Sequence, residues 1–226
     1  VCHMPPNTAA TVRRMQSEVE KLLPVLSPSP HPRGYPIDFD GVTSVCATED
    51  ERVELQKAFE AAVASCGKCS ICKKTELAEN SSCLVLKWHL DVSKLRWSLQ
   101  DALPACLHCG VSSNLDNFLN AILDVQDASG QLAIDGLVSH LLACNQHSSD
   151  EPEIVQAALN LSQSLKTLVS NMPCKVTQGQ DALPPRAVPE AVMRLLRARG
   201  ERAGPSSGKK KKGETPMKGS AKKVKK

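Results

Sequence analysis

Cys66-Gly-Lys-Cys69-Ser-Ile-Cys72 and, after a gap of 33 residues, Cys106-Leu-His-Cys109 are the stretches on which the fold turns. A Cys-x-x-Cys turn sets two thiolates on one side of an ion, and two such turns close a tetrahedral shell. Cys69, Cys72, Cys106 and Cys109 are therefore read as the ligands of one structural zinc ion. The gap suits a knuckle, a hairpin and a second knuckle. Cys66-Gly-Lys-Cys69 has the same spacing, so whether Cys66 replaces one of the four is left open. It is read as core or as an accessory thiol, because it continues the apolar face of the segment before it. Cys83 is read as buried. Cys144 and His147, at a helix end, could bind a second metal but lack two visible partners, so they are read as core or surface residues. His108, inside the second knuckle, is read as pointing outward.

The segment leading into the first pair is a helix. Thr48 and Glu51 have capping-box spacing, which satisfies free backbone N–H groups at a helix start, and Leu55, Phe59, Ala62 and Cys66 follow at helical intervals. Between the pairs, Cys83-Leu-Val-Leu-Lys-Trp88 reads as a strand, and Val92–Trp97 as its hairpin partner or a loop. After Cys109, Leu115, Phe118, Leu119, Ile122 and Leu123 form an amphipathic stripe. Ile134, Leu137, Val138, Leu141 and Leu142 mark a second helix. Pro152 opens a third, with Ile154, Ala158, Leu161, Leu165 and Leu168 on one face.

Upstream, Thr8–Leu23 reads as a short helix and the run SPSPHPRGYP (27–36) as an extended linker. Downstream, Pro173 closes the helical region, 181–189 is a second linker, and Glu190–Arg199 is read as a short basic helix. From Ala203 the Gly, Ser, Pro and Lys content leaves nothing to bury, and disorder is expected. The expected fold is mostly α with a small zinc-bound β-hairpin. Its parts are an N-terminal helix and linker (1–36), a zinc module with its preceding helix (37–125), a helical hairpin or bundle (126–173), and a linker with a basic tail (174–226).

With aromatics at only 3% of the chain, the core must come from Leu, Val, Ile and Ala, and a metal would help it. Residues 186–226 carry 14 Lys/Arg against three acids, a net of +11, so the +4 of the whole chain leaves −7 on residues 1–185. An acidic body argues against a broad DNA-binding face there, because phosphate attraction scales with positive charge. The nine lysines from Lys209 to Lys226 suit a phosphate-binding arm or a nuclear import signal. No run approaches the roughly 20 apolar residues that span a membrane. No secretory signal is read, so a reducing compartment is expected: the nucleus first, the cytoplasm as alternative, an organelle if a targeting segment precedes Val1.

The order of these motifs resembles the HNH nucleases of the treble-clef class over residues 66–125. That family has a CxxC, then a strand ending in a catalytic His, a loop, and an apolar-x-Pro-apolar-Cys-x-x-Cys knuckle leading into a helix. Here the order is Cys69/Cys72, Leu84–His89, Val92–Lys94 and Leu103-Pro-Ala-Cys106-Leu-His-Cys109. The resemblance implies a zinc-built module and places His89, 17 residues before Cys106, at the family's general base. The rest of the catalytic pattern is eroded. Trp88 stands where the family has His or Asp, and Ala102 where it has Asn. Gly110-Val-Ser-Ser offers no metal ligand, Leu95-Arg96-Trp97 replaces the loop glycines, and Asp91 is the one carboxylate close to His89. The leading expectation is a non-catalytic zinc protein associated with nucleic acid or chromatin, with DNA or RNA contacted through 186–226. The alternative is a structural subunit of a larger protein or ribonucleoprotein assembly, docked through the helices at 114–171. An active nuclease using His89 comes third.

Overall fold

Two long strands, β1 (Ser82–Asp91) and β2 (Arg96–Cys106), form an antiparallel hairpin that organises the helices. The computed structural model describes residues 6–78, 81–123, 127–170, 172, 174–178 and 181–203. The apolar run Leu84-Val85-Leu86 does not alternate with polar residues because the hairpin is covered on both faces. Leu84 and Leu86, with Leu99 and Ala102, pack into a cluster with α3 (Glu49–Cys66) and α8 (Val188–Ala203), while Val85 and Ala105 face the cysteines. The register shifts between Lys87, opposite Asp101, and Trp88, opposite Leu99. Gln100 is thereby the extra residue of a bulge. Beyond it, Leu90 and Trp97 enter a third cluster with Val12 of α1 (Pro6–Leu22) and Leu165 and Val169 of α7 (Pro152–Ser170).

The start of α3 follows the sequence signal with one change of partner. Thr48 Oγ1 accepts from Glu51 N (3.2 Å), but the Glu51 carboxylate accepts from Ala47 N (2.7 Å), one residue ahead of the cap. A six-residue helix, α2 (Phe39–Ser44), precedes it, capped by Asp38. After β2 come α4 (Leu107–Ser113), α5 (Leu115–Leu123) and α6 (Ala128–Cys144). Leu115 and Phe118 of the α5 stripe are fully buried, whereas Leu123 at its end is exposed.

The expected linker at the C-terminal side is corrected. β3 (Lys175–Gln178) pairs in parallel with residues 96–98 of β2, and β4 (Asp181–Ala182) pairs antiparallel with β3. The edge of β2 is open to a partner there, and Lys175 N donates to Leu95 O at 2.9 Å. The prolines at 184–185 lead through a short 3-10 helix (Pro185–Ala187) into α8. α8 is longer than the basic helix expected at 190–199 and belongs to the core: Val188, Ala191, Val192 and Leu196 are fully buried against α3. Its arginines sit on the rim, with Arg197 on Glu54 (3.2 Å) and Arg199 on Asp101 (2.5 Å). The expected tail beyond residue 203 lies outside the described residues.

The Pro-rich run is extended, as read, but it is packed against the body. Pro28, Pro30, Pro32 and Pro36 are buried, and Ser29 bridges to Asn114. Leu23 and Leu26 share a cluster with the cysteines, α5, α6 and α7. The boundaries expected at 36/37 and 125/126 therefore run through a common core. Among the described residues, no helix is long and apolar enough to cross a membrane.

Candidate metal centre

α3 stops at Gly67, whose N–H closes on Val63 O. Its φ of +63° suits a residue without Cβ. The chain then doubles back through an isolated bridge between Lys68 and Glu76. Within this knuckle Cys69 N donates to Thr75 O (2.8 Å) and Lys73 N to Cys69 O (3.1 Å). Lys73 takes a left-handed φ of +60° to complete the turn. The knuckle is tied to the hairpin by Ser70 N, which donates to Pro104 O (3.0 Å). Pro104 has no N–H to give to a ladder. It is tolerated here because β2 pairs with β3 only at residues 96–98, far from it.

Cys106 ends β2 and is the residue before the first turn of α4, in which Cys109 lies. The sulfurs of Cys69, Cys72, Cys106 and Cys109 all lie within 4.8 Å of one another, and all four residues are buried. For Zn–S bonds of about 2.3 Å, tetrahedral geometry puts sulfurs roughly 3.8 Å apart, so the four could hold an ion with small adjustments. Two backbone donors already point at one of them: Cys106 N (3.3 Å) and Ile71 N (3.4 Å) both reach Cys69 Sγ. N–H groups directed at sulfur favour a thiolate.

α6 brings two further donors. His140 and Cys144 are four residues apart in the helix, so they share one face and reach the same point. Cys72, Cys109, His140 and Cys144 also lie within 4.8 Å of one another. His140 Nε2 is 3.2 Å from Cys109 Sγ, 3.4 Å from Cys144 Sγ and 3.9 Å from Cys106 Sγ. Cys144 is a core residue, one of the two roles read for it, and it also belongs to a donor set that could hold a metal ion. Its partners are supplied by distant segments, and the one local sign is the His140-x-x-x-Cys144 spacing. His147 goes elsewhere: its Nε2 donates to Leu22 O at 2.6 Å.

Without metal, the thiols share protons. Cys109 donates toward Cys69 and Cys144, which raises its own pKa and lowers both of theirs. The backbone donors add to the effect at Cys69. At Cys144 the added effect comes from His140, whose own pKa is raised by the same contact. Burial raises Cys106.

The other sulfurs stand apart. Cys66 is half-buried, with Ser70 Oγ 3.7 Å from its sulfur, outside both donor sets. Cys83 is pushed up to about 12 by burial first, then by the charges of Cys106 and Cys69, and its thiol donates to Ala105 O and Cys106 O. It also lies against Gly110, where an added Cβ would sit 2.3 Å from Cys83 Sγ. Gly→Ala inside a helix ordinarily stabilises by about 1 kcal/mol. At Gly110 the clash reverses the sign, and Gly110→Ala is expected to cost roughly 1–3 kcal/mol. Chemical denaturation measures this, and Cys83→Ala in the same chain should recover most of the loss.

His89 is exposed on β1 opposite Ser98, and among the described residues its ring has neither hydrogen-bond nor ion-pair partner. Asp91 is committed to the hairpin turn. It accepts from Ser93 N (3.0 Å), Ser93 Oγ (2.5 Å) and Lys94 N (3.1 Å), and these contacts, Ser93's first, hold its pKa down at about 2. Trp88 donates through Nε1 to Pro36 O (3.3 Å), and Ala102 is fully buried. His108 is exposed as expected, its ring 5.2 Å from that of His140.

No protein-family model, curated protein or solved structure matches this chain. What the geometry supports is a buried cysteine and histidine cluster able to hold a metal ion. The layout is consistent with a zinc-binding domain, without features specific to the HNH class.

Proposed function

We propose that this chain is a non-catalytic zinc-binding interaction module whose basic C-terminal segment contacts nucleic acid in the nucleus. The observation that carries the structural role of the ion is the surplus of protein donors. Catalytic zinc keeps a position for water or substrate, whereas here six buried or half-buried protein donors converge on the centre. Sulfur-rich donor sets suit zinc among the common divalent ions. The order of knuckle, hairpin and second pair at a helix start supports a treble-clef-like module. His89 lies outside both donor sets, which supports a surface role for it rather than that of a base beside a metal.

The nucleic-acid part rests on charge. In α8, Arg194 is held by Gln178 and Glu190, Arg197 by Glu54 and Arg199 by Asp101. The lysines from Lys209 to Lys226 are the densest run of positive charge in the sequence. Each phosphate neutralised on duplex DNA adds about 0.9 to the slope of log affinity against log salt. Deleting residues 204–226 is expected to lower both affinity and slope together, read by fluorescence anisotropy over a salt series with unrelated DNA duplexes. A deleted chain that keeps the full slope would move the binding surface to the zinc module.

A second reading, a structural subunit of a larger assembly, draws on a different observation. Leu107, Leu123 and Leu132 are 53%, 78% and 72% exposed. Beside them α4, α5 and α6 enclose an apolar groove of about 360 Å³ lined by Leu107, Val111, Ala121, Ile134 and Leu137. Retention of the tail-deleted chain in a larger native complex at high salt would favour this reading, and its loss from that complex would favour the first.

A further inference from the structure

We propose that the centre takes two metal ions, with Cys72 and Cys109 as bridging thiolates. This rests on the zinc reading above and specifies its stoichiometry. The two donor sets are not alternatives drawn from scattered residues. Each contains four mutually close ligand atoms, and the sets overlap in two residues, Cys72 and Cys109. A four-coordinate ion in each set uses all six donors, leaves none over, and requires those two sulfurs to be shared. Cys69 and Cys106 are the terminal ligands of the first ion, His140 and Cys144 those of the second.

The position of Cys109 fits a bridge. Its sulfur lies within 4.8 Å of those of Cys69 and Cys106 in one set and of Cys144 in the other. It lies 3.2 Å from His140 Nε2, which in turn is 3.4 Å from Cys144 Sγ. For one tetrahedral zinc with Zn–S of about 2.3 Å and Zn–N of about 2.05 Å, the S···N separation is roughly 3.5 Å, so these contacts suit ligands of one ion. Terminal ligands of two tetrahedral ions that share two sulfurs stand roughly 5.5 Å apart, so His140 and Cys106, 3.9 Å apart in the metal-free chain, must separate as the second ion enters.

Charge argues the same way. Five buried thiolates around one divalent ion would leave three net negative charges in the core, or force a protonated thiol into contact with the shell. Two ions leave one, and burying uncompensated charge is costly. Lys74, whose Nζ donates to Ala143 O at 3.4 Å, stands beside the α6 pair and offsets the remainder. The second ion also gives α6 a function. It fastens the helix to the first knuckle, far earlier in the chain, which a single ion held by Cys69, Cys72, Cys106 and Cys109 would not do.

Native mass spectrometry of the full chain, purified with zinc and again after exchange into cobalt, counts the ions directly. Two per chain is the expected result. None would mean that the metal reading itself has failed, and one would overturn this inference while leaving that reading in place. His140→Ala with Cys144→Ser should lower the count from two to one, and a count that stays at two would also overturn it. If this variant does not fold, the wild-type chain loaded with cadmium-113 decides. Two resonances coupled through shared sulfur are expected, and a single resonance would overturn the proposal. In the cobalt form, magnetic coupling through the bridges should suppress the paramagnetic resonance signal of isolated ions. A full uncoupled signal would contradict shared thiolates.

Discussion

Stripping metal from the chain with a chelator at neutral pH is expected to unfold residues 66–113 and release α6 from the hairpin. Structural zinc contributes on the order of 10 kcal/mol or more of apparent binding energy in small zinc peptides, comparable with the whole stability of a domain at about 5–15 kcal/mol. The cysteine cluster is where α4, α5, α6 and the Leu23–Leu26 segment meet, so its loss is felt by all of them. Two other clusters contain none of the donor residues. One joins α3 and α8 across the hairpin, and the other joins α1 and α7 at its tip. Part of the helix content should therefore survive. Hydrogen exchange resolves the two classes: fast exchange in 66–113 and the end of α6, residual protection in α3 and α8. Cys109→Ser should approach the effect of the chelator, since Cys109 belongs to both donor sets. Acid acts in the same direction. Cys69 and Cys144 lie below the ordinary thiol range in the folded chain. The stability they contribute is thus present above their unfolded pKa and is lost as pH falls through the folded value. Protons also compete with the metal for every thiolate. Exchange rates that are identical with and without chelator would exclude a structural metal here.

Local signals carry the sequence reading as far as local physics reaches. The two Cys-x-x-Cys pairs, the Thr48 cap and the stripes of α5 and α6 depend on spacing within one or two turns, and the structure has them where the spacing puts them. What is illegible depends on distant partners. His140 stands on a helix whose apolar residues dominate its pattern, and apart from Cys144 one turn on, nothing nearby marks it as a candidate ligand until Cys72 and Cys109 are folded against it. β2 is hidden for another reason. Gln100, Asp101 and Pro104 lack strand character. The bulge at Gln100 breaks the alternation that would reveal the pairing with β1. In α8 the arginines suggest a solvated basic helix. The stripe Val188, Ala191, Val192 and Leu196 has few large side chains and becomes core only because α3 covers it. The prolines of 27–36 do specify extended backbone, but extended chain packs as readily as it stretches when a surface offers partners. Ser113 O and Leu115 N, both bonded to Ser29, are such partners.

Asn145→Ala is expected to destabilise the chain by about 3 kcal/mol or more, with metal saturating throughout, since each buried polar group left unsatisfied costs about 1–3 kcal/mol. Asn145 caps the end of α6 and is buried, yet every polar group of its side chain is used. Its Oδ1 accepts from Val25 N (2.7 Å) and Leu26 N (3.1 Å), and its Nδ2 donates to Leu26 O (2.7 Å) and Leu141 O (2.8 Å). The segment after α1 has no sheet or helix to satisfy its backbone at this point, so one amide takes the place of a strand. Truncation leaves two N–H groups and two carbonyls without these partners. Asn145→Asp should be at least as damaging, because a carboxylate oxygen would replace the donor that faces two carbonyls. The substitution also reaches the metal centre. Asn145 follows Cys144 directly, so a loosened end of α6 should lower zinc occupancy at limiting metal before it changes the fold at saturating metal. Denaturant titration read beside zinc content tests both parts. A variant with unchanged midpoint would show that water replaces the amide at no cost, and that the segment after α1 is held to α6 by its buried leucines, Leu23 and Leu26, alone.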